Sequence, residues 1–271
     1  MFTQRRLALK LLLGVLLVWA GTARATECNG LTPISQAIVT AGGGFPFKIV
    51  ASGSYFLTSD LFVSSSTKDA IDVNVSDVTI DLNGFSIIGP ATGTGVGIAA
   101  GAQHLITIRS GEVAGMGFDG MQTGHSSQIT NMRLLKNGNN GIACADACDI
   151  SHNVSDNNGL NGIVIGIGGH IASNVVQFNN VGIRVGVGNL PANAVVSDNT
   201  ANDNPGGGIF VNGGSLVTGN VADNDIVGLQ CNHGTSAYSN NTFVSDTQDV
   251  SASVGNCVNL GHNLCETTLC P

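Results

Sequence analysis

Charge is scarce in this chain. Lys, Arg, Asp and Glu make up only 10% of its 271 residues, against about a quarter in an ordinary soluble domain. Little is therefore available to build amphipathic helices, whose outer faces are normally charged. Cations are scarcer still, and none follows Arg184. Nucleic acid and anionic membrane surfaces are excluded as partners, because both need clustered Lys and Arg. Long apolar runs are also missing. The longest, Leu11–Ala20, is too short to cross a bilayer as a mature helix, which takes about 20 residues.

That run has another reading. Arg5, Arg6 and Lys10 precede it, and Ala23-Arg24-Ala25 follows with the small-x-small form of a cleavage site, so residues 1–25 are expected to be a signal peptide. The segment Gln4–Lys10 is a degenerate twin-arginine pattern, which points to a bacterial chain exported to the periplasm or beyond. Removing those residues takes four of the ten cations and none of the 18 acids, leaving 6 − 18 = −12.

What the chain has in abundance is repetition. An apolar residue, two variable positions and Asn recur at Ile150–Asn153, Ile171–Asn174, Val196–Asn199, Val217–Asn220 and Tyr238–Asn241, with gaps of 21, 25, 21 and 21. A second phrase keeps step, Gly followed by a branched apolar residue at Gly141-Ile142, Gly162-Ile163, Gly182-Ile183, Gly208-Ile209 and Gly228-Leu229. A beat of 21 is too short for a two-helix repeat, which needs roughly 33 residues. The recurrent Leu pattern of leucine-rich repeats is absent. Trios such as Ile163-Val164-Ile165 and Ile183-Arg184-Val185 alternate with period two, so they are strands with one face inward.

Parallel stacking of such coils gives each repeated Asn a structural role. An amide at the same place in successive coils, about 4.8 Å apart, can hydrogen-bond to its copies above and below. The expected ladder is Asn131, Asn153, Asn174, Asn199, Asn220 and Asn241. The outward positions of the Gly-Ile strand should form one row: Asp72, Ala99, Gln122, Ala143, Val164, Arg184, Phe210 and Gln230. By the same register Glu112 falls one coil below Arg133, as a stacked surface ion pair.

The ends differ from this scaffold. Thr32-Pro33-Ile34, Ser35–Thr40 and Gly42-Gly43-Gly44 read as a short capping helix with Pro at its first position, or else as a first strand. Residues 26–53 are therefore taken as an N-terminal cap, 54–254 as the solenoid and 255–271 as a Cys-rich C-terminal cap. Seven cysteines in an exported chain imply disulfides, with one thiol left over. Cys231–Cys257 and Cys265–Cys270 are the expected bridges, and Cys144 is read as a small buried hydrophobe. The longest insertion, Gly186–Ala194, should project as a loop.

Gly53–Leu61, the stretch Asp-Val-Thr-Ile-Asp-Leu-Asn-Gly at Asp77–Gly84, the Asn/Gly-Ile coils and the ending Asn259–Pro271 resemble bacterial right-handed parallel β-helix repeat proteins of the pectate-lyase-like superfamily. The resemblance implies an all-β, right-handed parallel β-helix of about eight to ten coils with roughly 21 residues each. It also implies lyases, epimerases, polygalacturonases or non-enzymatic binding proteins, and fold alone does not choose among these.

The motifs of those enzymes are missing. There is no Arg-x-x-Pro-x-x-Arg or Asp-Pro-His-Asp, and Gly124-His125-Ser126 matches only part of Gly-His-Gly. The expectation is therefore an exported, non-catalytic β-helix whose partner is a polysaccharide held on a sheet face, with Arg184 and Phe210 as binding candidates. The alternative is a polysaccharide lyase or epimerase with an atypical site at Asp119, His125, Arg133 and Lys136. No cofactor is indicated; scattered Asp leave calcium open, but no tandem Gly-Gly-x-Gly-x-Asp repeat appears. No Cys/His set completes a tetrahedral metal site.

Overall fold

Apolar residues at every second position bury one edge of each strand, and the next coil repeats the pattern directly above. The column Ile80, Ile108, Ile129, Ile150, Ile171, Val196 and Val217 runs in parallel register through the stack, and every member is buried. The computed structural model describes residues 30–252, 255–266 and 268–270. The expected signal peptide and Cys28 lie outside the described residues.

Each coil carries three strand rows. The first runs from Leu31–Ile34 to Gly255–Asn259, the second from Leu61–Phe62 to Leu264–Cys265, and the third from Phe47–Ile49 to Gln248–Ala252. Strands such as Ile106–Ala114 and Gln128–Leu135 bend through both of the first two rows, joining them into a 20-stranded sheet beside a separate 10-stranded third. Pairing is parallel throughout except at the terminal Leu264–Cys265 and Thr268–Leu269.

The stack has about eleven coils. Both presumed caps supply strands: Leu31–Ile34 pairs with Ser54–Leu57, and Gly255–Asn259 pairs with Gly234–Tyr238. Pro33 lies in that opening strand, not at the start of a helix. The helix is Gln36–Ala41, with Ser35 Oγ accepting from the Ile38 amide at 3.2 Å.

Two corners of each coil share a device. One residue turns through the left-handed region, and the next points inward as a polar rung. At the first corner the turning residues include Asn131 (φ 55), His152 (φ 59) and Ser173 (φ 56). Asn131 is therefore the exposed corner residue, and the ladder slot belongs to Met132, whose amide donates to Asn153 Oδ1 at 2.9 Å. Above it, Asn153, Asn174, Asn199, Asn220 and Asn241 each donate Nδ2 to the Oδ1 of the next, at 2.9–3.0 Å. Asn263 adds a last rung.

The second corner carries a stack that the periodic phrases did not single out. Asn137, Asn158, Asn179 and Asn204 are hydrogen-bonded in series, followed by Asp225 and Asp246 in the same register. This stack explains the recurrent Gly. A Cβ on Gly162 would lie 2.8 Å from Asn179 Nδ2 and 2.7 Å from the Gly182 carbonyl oxygen. No side chain fits there without moving the rung.

Disulfides join Cys231 to Cys257 and Cys265 to Cys270. A third, Cys144–Cys148, ties a strand end to the following turn, so Cys144 is bridged and not a free buried thiol. The Gly186–Ala194 insertion exposes Val187 and Leu190 but buries Ala192 and Ala194. Asn212 Nδ2 tethers it by donating to the Gly188 and Leu190 carbonyls at 3.0 and 3.1 Å.

Candidate functional site

The four residues of the atypical-site reading do not converge. Asp119 is only 2% exposed. Its Oδ1 accepts from the Asn140 amide and the Asn139 and Asn140 side chains at 2.8–2.9 Å, and Oδ2 accepts from Gln122 at 2.7 Å. Oδ1 thus ties this coil to the next, and Oδ2 is held within its own coil. His125 lies in the turn before the first row, Nδ1 3.3 Å from Asp146. Arg133 faces outward from the second row, Nε 3.6 Å from Glu112 in the coil below. Lys136 is a left-handed corner residue (φ 54). These positions fall on different sides of the coil.

The long outward row of the third sheet is real, and Lys48 and Ser251 extend it at either end. Arg184 and Phe210 are neighbours in it. The Phe210 ring folds back over Gly207, where an added Cβ would collide with it, so the ring does not stand out as a stacking platform. On the first row, His170 lies 3.1 Å from Ser197 Oγ and 3.9 Å from Asp149. The order of groups is that of a nucleophilic relay, but 3.9 Å is too long for the orienting hydrogen bond.

A more concentrated set of groups lies at the N-terminal end. The capping helix and the following Gly-rich segment stand off from the third row and leave two adjoining cavities, each of about 490 Å³. Phe45, Pro46, Phe47, Lys48 and Lys68 line the first. Phe45 and Lys68 are shared with the second, which adds Phe62, Ser64 and Ser65. Phe62 is 57% exposed.

The charges there are unusual for this chain. Of the six cations beyond residue 25, Arg109 and Arg133 are in ion pairs. Lys48 and Lys68 are in none among the described residues, and both line the groove. Asp72 stands beside Lys48 in register. Burial, then a hydrogen bond and charge repulsion from Asp69, raise the Asp72 carboxyl above its usual range, while Lys48 and Lys68 pull it back. Asp69 also accepts from the Val96 amide at 2.7 Å. The groove thus combines aromatic walls and two ammonium groups, and the Asp69–Asp72 carboxyl pair, outside its lining, lies within electrostatic reach of both lysines.

Sequence reasoning placed Asp72 in the outward row and counted Lys68, but it did not bring them together. Lys48 meets Asp72 through the pairing of Phe47–Ile49 with Ile71–Val73, whose register no motif announces. Among the described residues, no three His, Cys, Asp or Glu are grouped to hold a metal ion, and no helix is long and apolar enough to cross a membrane.

Neither a protein-family model nor a curated protein sequence matches the chain. Solved structures share its fold. The mannuronan C-5 epimerase AlgE6 A-module of Azotobacter vinelandii aligns over 87% of this chain and 88% of its own, with a TM-score of 0.51 and 13% identity. The AlgE4 A-module of the same organism aligns over 87% and 89%, at 0.43 and 14%. A mutant tailspike of E. coli bacteriophage HK620, in complex with a pentasaccharide, aligns over 84% and 61%, at 0.37 and 11%. At such identities the likeness is one of fold, and the chain is a right-handed parallel β-helix.

Proposed function

We propose that the protein is an exported β-helix that binds carbohydrate without turning it over, and that the N-terminal groove takes an anionic sugar residue. The observation that carries this reading is the pair of unpaired lysines, Lys48 and Lys68, in one aromatic-walled groove of a chain whose charge beyond residue 25 is 6 − 18 = −12. Phe45 and Phe47 offer apolar surface to a sugar ring, and the ammonium groups answer a carboxylate or sulfate. The AlgE6 module is named for a reaction on mannuronan, which makes an acidic polysaccharide the natural first ligand to try. Three disulfides fit an oxidising compartment outside the cytoplasm.

Binding to a panel of acidic and neutral polysaccharides tests this. An acidic polymer should bind in a salt-sensitive manner. Lys48→Ala with Lys68→Ala should weaken binding by about tenfold, a loss of roughly 1.4 kcal/mol, at unchanged Tm. Undiminished binding in that variant, or a preference for neutral polymers, would overturn the assignment.

One observation favours a second reading, a lyase or epimerase centred on this groove. Asp69 and Asp72 form a carboxyl pair in which Asp72 holds its proton above the usual range, as a general acid or base would. Turnover is read from the absorbance of unsaturated products and from sugar analysis. Activity lost in Asp72→Asn and retained in His125→Ala and Lys136→Ala would establish that reading; no turnover on the polymer that binds would remove it.

A further inference from the structure

The second interior stack changes chemistry along its length. In its amide rungs Oδ1 accepts from the rung below. Nδ2 donates to a backbone carbonyl, that of Val113 for Asn137, Leu134 for Asn158, Ser155 for Asn179 and Val176 for Asn204, and in the first three also to the rung above. Asp225 and Asp246 occupy the next two slots. Their acceptor half is intact: Asp225 Oδ1 accepts from the Asn204 amide at 2.6 Å, and Asp246 Oδ1 from the Asp225 amide at 2.8 Å.

The donor half is where the acids differ. A Cβ on Gly162 would meet Asn179 Nδ2, and in the same register one on Gly208 would meet Asp225 Oδ2 and one on Gly228 would meet Asp246 Oδ2. Each Oδ2 therefore stands where an amide nitrogen stands below. Both are buried with no hydrogen-bond partner. An oxygen without a proton in that place faces acceptors only, which is unfavourable in a buried site. A protonated carboxyl, O–H in place of N–H, restores the donor.

We propose that Asp225 and Asp246 complete the stack as protonated acids, so that the C-terminal coils are held by protons and loosen as the pH rises through neutrality. Burial is the main influence on both groups, pushing Asp225 up to about 8 and Asp246 to about 7, while the backbone and side chain of Asn204 pull Asp225 back and the Asp225 backbone amide pulls Asp246 back. The charged groups facing them are all acidic. Asp203 and Asp246 act on Asp225, and Asp223, Asp249 and Glu266 act on Asp246. No Lys or Arg follows Arg184 to neutralise an ionised rung. The folded state therefore keeps protons that the unfolded chain releases near pH 3.8. The stabilisation is full below about pH 4, declines as the pH rises, and is lost by about pH 8, where the curve flattens.

The test is thermal unfolding of the full chain and of Asp225→Asn with Asp246→Asn, from pH 5 to pH 9. Asn is the residue this stack uses in its lower rungs, so the variant keeps the shape and supplies the donor at any pH. Wild-type Tm should fall by roughly 5 °C or more between pH 6 and pH 9. The variant should stay flat and exceed wild type at pH 9. Parallel profiles would overturn the proposal, and so would recovery of wild-type Tm at pH 9 by added calcium, since a cation would then be the missing partner. Hydrogen exchange on wild type gives a reading that needs no variant. Raising the pH from 6 to 9, after correction for intrinsic rates, should cost Val227–Asn232 at least tenfold in protection relative to Asn161–Ile165. A uniform change across both segments would overturn the proposal.

Discussion

Asn220 and Asp225 sit five residues apart in one coil, each in a buried slot behind a left-handed corner, Gly219 (φ 71) and Asn224 (φ 58) respectively. Asn220 donates to Asn241 and to the Val196 carbonyl, and it accepts from Asn199. Asp225 accepts in the same way at Oδ1, but its buried Oδ2 has no hydrogen-bond partner among the described residues. An amide is both donor and acceptor at any pH, so a column of Asn is self-complementary. A carboxyl is so only while protonated. The same backbone thus accepts a permanent rung and a conditional one.

This contrast can be broken at several places. The largest loss is expected from Asn174→Ala in the all-amide column. It strips the Asn153 amide and Nδ2 of their acceptor and the Ile150 carbonyl of its donor. A loss of about 3 kcal/mol, a Tm drop of roughly 10 °C, should appear equally at pH 5 and pH 8; a pH-dependent loss would show that the two columns do not differ as described. Gly162→Ala should be next, at about 2 kcal/mol by crowding the Asn179 rung, measurable by urea unfolding. Arg133→Ala should be smallest. Its partner Glu112 lies 3.6 Å away and the arginine side chain is 63% exposed, so a change in Tm beyond about 2 °C would contradict a solvated surface pair.

Much of the fold was legible because the interior writes itself into the chain at a fixed spacing. Ile150, Ile171, Val196 and Val217 must be apolar, and the Asn that follows each must bond its copy, so both repeat with the coil. The first ladder could be read nearly rung by rung; its lower end was misplaced by one residue, since Asn131 is a corner and Met132 fills the slot. The second ladder has the same beat, but its rungs hide beside other Asn and Gly, as in Asn157-Asn158-Gly159, and its last two rungs change to Asp. The end coils at Leu31–Ile34 and Gly255–Asn259 were assigned to caps because the regular beat fails toward the ends: Leu31 pairs with Ser54, Ser54 with Thr79, and Thr79 with Thr107.

The groove was harder to foresee. Phe45, Lys48 and Lys68 come from the first coils, where Phe47–Ile49 pairs with Ile71–Val73 before either repeat phrase has begun, so no recurring phrase marks them. Asp119, His125 and Lys136 stood out in the sequence precisely where the repeat was least regular in charge, yet burial and corner geometry account for Asp119 and Lys136. Nothing periodic distinguishes a buried acceptor from a surface acid until the coils are stacked.

Asn263 closes the column of amides among the described residues. Every Asn below it passes a side-chain hydrogen bond upward, but Asn263 directs Nδ2 to the Tyr238 carbonyl, to Asn259 Oδ1 and to the Gly261 carbonyl, all within the last coils. The Leu264–Cys265 strand is then met by an antiparallel partner. A column of amides open at its top would be a template for another chain to add itself, as exposed strand edges are in fibrils. With Nδ2 directed to Tyr238, Asn259 and Gly261, the last amide of the column turns back onto coils already formed and aims no donor at a strand above it.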